Sequence, residues 1–113
     1  MENTIQLSFP AADPFILRAS DGLYYLYCTA EDGGAFSIRV SADLRSWKLC
    51  GTALGPGRSR WGTGCFWAPE CYEIGGRYYL FYSADWKVNP TGALENFRIG
   101  VAVADTPAGP FED

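Results

Sequence analysis

Asp13 stands immediately before Pro14, and about one repeat further on the chain carries Trp67-Ala68-Pro69-Glu70, a second proline-bearing lead. A carboxylate can take a proton from water or bind hydroxyls, and an indole beside it can stack on the apolar face of a sugar ring. Taken alone, each residue also has a plainer use: Asp-Pro commonly opens a strand, and a tryptophan commonly packs in a core. The chain contains no histidine, which excludes Ser-His-Asp and Cys-His nucleophiles, a histidine base and a histidine-ligated metal within it. Acid–base chemistry near neutral pH therefore falls to carboxylates.

The elements that position these residues are written twice. Gly22-Leu23-Tyr24-Tyr25-Leu26-Tyr27-Cys28-Thr29-Ala30 is echoed 54 positions on by Gly76-Arg77-Tyr78-Tyr79-Leu80-Phe81-Tyr82-Ser83-Ala84. A period of about 50 residues built from short strands marks the blades of a β-propeller, whose sheets bury their faces only against one another. The first blade is predicted over 1–50, with strands at 15–18, 23–29, 36–40 and 47–50 and turns at Ser20-Asp21-Gly22, 31–34 and 41–46. Trp47 is expected to fill its core, and Pro14 to hold Asp13 in extended geometry. Residues 51–65, rich in Gly, Arg and Ser, read as an inter-blade loop. A second, incomplete blade follows over 66–113, with strands at 71–74, 77–83 and 98–103, and the long 85–96 insertion suits a functional loop. Strands 24–29 and 78–82 are apolar or amphipathic on both faces, so both faces need cover. No stretch keeps a helical period, and the fold class expected is all-β: about two four-stranded antiparallel blades in one partial propeller domain, 1–113. Closed propellers have about four to eight blades, so remaining blades or self-association must complete this one.

Composition narrows the partners. A hydrophobic fraction of 48% with 16% aromatics is that of a core-forming domain, and a net charge of −4 offers no basic stripe for nucleic acid. No apolar run approaches a membrane span, and the amino terminus lacks a basic, apolar leader, so a cytoplasmic location is expected. The four cysteines, Cys28, Cys50, Cys65 and Cys71, form no CxxC pair and read as small buried thiols rather than disulfides or zinc ligands.

Ala12-Asp13-Pro14-Phe15, the Tyr24-Tyr25-Leu26 strand, Ser41-Ala42-Asp43-Leu44-Arg45-Ser46-Trp47, Trp67-Ala68-Pro69-Glu70 and Gly109-Pro110-Phe111, in this order, resemble the amino-terminal part of glycoside hydrolase family 43. The resemblance covers nearly the whole chain. It implies the first two blades of a five-bladed propeller that hydrolyses β-xylosides, α-L-arabinofuranosides or arabinans with inversion. By the same resemblance Asp13 is the general base, and Trp67, Glu70 and Phe15 line the carbohydrate site. The family's general acid, a glutamate, and the aspartate that tunes it come from later blades and have no matching position here; Glu70, Asp85 and Glu95 have no spacing that recommends them for the task. The residues indicate no cofactor, although some relatives hold calcium in the channel. The alternative is a non-catalytic carbohydrate-binding or self-assembling propeller fragment, using Trp67, Trp86 and tyrosines to hold sugar.

Overall fold

The structure is a computed structural model that describes residues 6–30, 32, 34–86 and 97–113. It contains seven strands and, among the described residues, no helix. Strands β1 (Ala12–Arg18), β2 (Tyr24–Thr29), β3 (Phe36–Ser41) and β4 (Lys48–Ala53) form one antiparallel sheet in sequence order. Strands β5 (Gly62–Ile74), β6 (Arg77–Trp86) and β7 (Phe97–Ala104) form a second. A bridge between Val103 and Glu112, with both backbone hydrogen bonds made, begins a fourth strand on that sheet. Turn chemistry matches the hairpins: Asp21 accepts the Leu23 N–H at 2.9 Å, and Gly75 and Gly76 adopt φ of 59° and 80° in the two-residue β5–β6 turn. The predicted turn at 31–34 and the 85–96 insertion, with Glu95, lie partly outside the described residues.

The sheets pack face to face, with β1, β2 and β3 against β5. Tyr25, Tyr27, Ile38 and Phe36 of the first sheet meet Phe66, Leu80, Tyr82 and Ala84 of the second in one buried cluster. Phe36 sets its edge on Phe66 and Tyr82, with centroids 6.0 and 5.8 Å away. Because side chains alternate along a strand, the register extends the repeat into a rule about faces. Phe81 and Val101 pair in the second sheet as Tyr27 and Ile38 pair in the first. Tyr27 and Ile38 are fully buried, whereas Phe81 is 40% exposed, Val101 46% and the neighbouring Ile99 83%. The face that the first sheet turns to the second is, on the second, uncovered by any described residue.

Three sequence expectations change. Strand β5 begins at Gly62 and β4 runs on to Ala53, so paired structure occupies much of the predicted 51–65 loop. Trp47 is not a core residue: it lies half-buried just before β4, its indole N–H donating to the Leu44 carbonyl at 3.2 Å. Its counterpart across the repeat is Phe111, because Lys48 pairs with Val40 as Glu112 pairs with Val103. Phe111 inserts between the sheets, edge-on to Tyr27, while Trp47 holds the same place on a sheet with none preceding it. The third change concerns the thiols. All four cysteines are free, but only Cys28 and Cys71 are buried, Cys65 partly so; Cys50 is exposed, as the extra residue of a bulge in β4.

Asp113 is clasped to the segment that leads into β5 and to β6. It accepts hydrogen bonds from the Ser59 hydroxyl (2.5 Å), the Arg60 N–H (3.0 Å) and the Tyr82 hydroxyl (2.8 Å). Partial burial alone would raise this carboxyl, but these bonds outweigh it and hold it below the usual range. A depressed folded-state value adds stability above the unfolded value and loses it as pH falls through the folded one. Thermal melts should therefore show an acid-side decline between about pH 5 and pH 2 that is shallower in Asp113→Asn, which starts less stable at pH 7. Parallel curves for the two proteins would contradict the clasp.

Candidate active site

The lead-in of β1 is a bulge. Ala12 pairs with Thr29 and Phe15 with Tyr27, so Asp13 and Pro14 together oppose the single residue Cys28. Asp13 adopts φ +49°, not the extended geometry expected from Pro14. The bulge forces the turn, and aspartate is among the few side chains that tolerate left-handed geometry. Strand β5 repeats the device: Trp67 pairs with Ser83 and Glu70 with Phe81, leaving Ala68 and Pro69 opposite one residue, with Ala68 at φ +52°. Register thus makes Ala68 the counterpart of Asp13, Trp67 that of Ala12 and Glu70 that of Phe15. The second lead holds no carboxylate at the position Asp13 occupies.

The two bulges touch through one hydroxyl. Thr29 donates to Asp13 Oδ2 at 2.9 Å and accepts the Ala68 N–H at 2.9 Å. The exposed Asp13 carboxylate therefore sits one hydrogen-bonded residue away from the tract that carries Trp67. At the opposite end of β1, the Ser20 N–H donates to Glu73 at 2.8 Å, so the first strands of the two sheets are tied at both ends.

The remaining sequence candidates divide. Trp67 stays out of the core, 42% exposed, and stacks on Phe97 with ring centroids 4.9 Å apart. Phe15 is half-buried in the seam between the sheets, 5.4 Å from the Tyr72 ring, and packs against the core. Glu70 is exposed and accepts the Tyr72 hydroxyl at 3.1 Å, which links it to Phe15 through Tyr72 rather than to Asp13 directly. The Arg98 guanidinium lies over the Trp86 ring at 4.6 Å. Cys71, its thiol pushed up to about 11 by burial, is unsuited to nucleophilic work. Among the described residues no three His, Cys, Asp or Glu side chains gather as a metal site. Thr29 carries no mark of function in the sequence, save that Ser83 repeats its hydroxyl 54 positions on.

Comparison with known proteins fixes the setting of this geometry. The β-xylosidase of Xylanibacter ruminicola is 35% identical over an alignment covering 90% of this chain and 34% of that protein. A probable arabinan endo-1,5-α-L-arabinosidase of Aspergillus clavatus is 38% identical, covering 85% of this chain and 29% of its own length. Among solved structures, an endo-arabinase from Bacteroides thetaiotaomicron superposes with a TM-score of 0.76 at 35% identity, over 92% of this chain and 34% of that one. A thermostable family-43 glycoside hydrolase gives 0.79 at 29% identity, over 97% and 34% respectively. The chain thus spans about a third of the length of the relatives it matches, and its two sheets are two blades of a five-bladed propeller. The model of the glycosyl hydrolases family 43 matches residues 3–113, and the chain belongs to that family.

Proposed function

We propose that this chain supplies the base side of an inverting glycosidase that acts on pentose-containing glycosides, β-xylosides or α-L-arabinofuranosides. The observation that carries the reading is Asp13: an exposed carboxylate, turned out of the first strand by a bulge and bonded through Thr29 to the Trp67 tract. In the proposed reaction Asp13 takes a proton from water as the water oxygen attacks the anomeric carbon. A second carboxyl, protonated and about 6.5–9.5 Å away, gives its proton to the departing glycosidic oxygen. That acid is assigned to the remaining blades, which would also close the ring. The relatives support the substrate class, since they include a β-xylosidase and a probable arabinan endo-1,5-α-L-arabinosidase.

Trp67 is assigned to sugar binding, its exposed indole braced by Phe97. Trp67→Ala in the natural gene product should raise KM for an aryl β-xyloside or aryl α-L-arabinofuranoside about fivefold to tenfold, with a smaller change in kcat. An unchanged KM would remove Trp67 from the site. Phe15 and Glu70, joined to one another through Tyr72, are assigned as supports of the β1–β5 seam rather than as sugar contacts.

A further inference from the structure

We infer that Thr29 is the residue that aims Asp13, a positioning role for a side chain that touches no substrate. The inference rests on the proposed role of Asp13 and goes beyond it. A threonine hydroxyl has one proton to donate. The Ala68 N–H can only donate, so at 2.9 Å the hydroxyl must accept there, and its single proton is left for Asp13 Oδ2, also at 2.9 Å. The direction of both bonds is therefore set by the backbone of the second blade. With Oδ2 held, Oδ1 is the oxygen assigned to the water proton.

The backbone alone does not set this orientation. Asp13 lies in a bulge at φ +49°, where ladder pairing lapses between Ala12 and Phe15. The counterpart arrangement isolates what the hydroxyl adds. At the second bulge the Ser83 hydroxyl reaches the Trp67 carbonyl at 3.4 Å, and the residue before the proline is Ala68. A hydroxyl stands at the same position of both repeated strands, but only in the first does it meet a carboxylate. Only there does it also cross to the neighbouring blade. Asp13 is thereby aligned with the tract that carries Trp67, so the base and the indole are set in one frame.

The test measures turnover of an aryl pentoside by the natural gene product carrying Thr29→Val, Thr29→Ser or Asp13→Asn. An aryl group departs with little help from an acid, so the rate reports on the water-activating side. Thr29→Val preserves shape and removes the hydroxyl; kcat should fall about 10- to 100-fold with KM changed by no more than about twofold. Thr29→Ser keeps the hydroxyl and should recover most of the parent kcat. Parental kcat in Thr29→Val, or a Thr29→Ser variant as slow as Thr29→Val, overturns the positioning role. Turnover that survives in Asp13→Asn sinks the base assignment instead, so the two failures are distinct. Melting temperature is recorded for each variant. Thr29→Ala replaces Thr29→Val should the second methyl disturb folding, with the same outcomes read.

Discussion

Asp13→Asn should lower kcat for aryl xylosides or arabinofuranosides about 10²- to 10⁴-fold, the span usual for loss of a general base. The protein should remain folded. Asparagine, like aspartate, tolerates the left-handed φ of +49°, and its amide oxygen can still accept the Thr29 hydroxyl. What it cannot do is take the proton of an attacking water. KM should stay close to the parent value, because the substitution removes an interaction made in the transition state rather than one that holds the sugar. A variant with parental turnover and an unchanged melting temperature would end the base assignment. A variant that fails to fold would move Asp13 from chemistry to structure.

The second large effect lies on the outward face of the second sheet. Phe81, Val101 and Ile99 are exposed where their counterparts in the first sheet, Tyr27 and Ile38 with the neighbouring Phe36, are fully buried. Fully covering one such side chain is worth about 1.5–3 kcal/mol. A chain of residues 1–113 alone should therefore sediment as oligomers at micromolar concentration. Ile99→Lys with Val101→Glu should convert it to a monomer with the same β-sheet circular dichroism. In the natural gene product the same pair of substitutions should act in reverse and lower the melting temperature, because a neighbouring blade would bury charges without partners. Monomeric parent chain, or no penalty in the natural gene product, would show that nothing seats on this face.

The sequence made the blades legible because the echo of 22–30 in 76–84 carries strand, turn and face information together. It did not reveal that the two copies meet different surroundings. Tyr27 and Phe81 occupy equivalent positions, and alternation says only that both sides of each strand are apolar; which side has a neighbour depends on the assembly. The sequence predicts β5 only from residue 71 because Gly62 and Gly64 have low strand propensity, and bulges break the alternation before Glu70. The setting of Trp47 escapes the sequence for a related reason. The repeat predicts its place correctly, but its counterpart Phe111 has a sheet to pack against and Trp47 has none before it.

At the site, Asp13 and Trp67 stood out by residue type, and the family resemblance gave them roles. The bulge geometry did not stand out, since Pro14 argues locally for an extended Asp13 and the two-against-one pairing that overrides it is a property of β1 and β2 together. Thr29 was invisible for the same reason. Its partners are 16 and 39 residues away along the chain, and a threonine ending an aromatic strand looks like ordinary strand composition.

The paired bulges at Asp13-Pro14 and Ala68-Pro69 are one joint with two occupants. In each, the residue before the proline leaves the backbone ladder, so strand pairing does not dictate what its side chain must be. Ala68 shows that the joint closes equally well around a side chain with no reactive group. A scaffold assembled from such units can stay constant while the residue at each bulge is rewritten one position at a time, and new chemistry there need not be bought with a weaker fold.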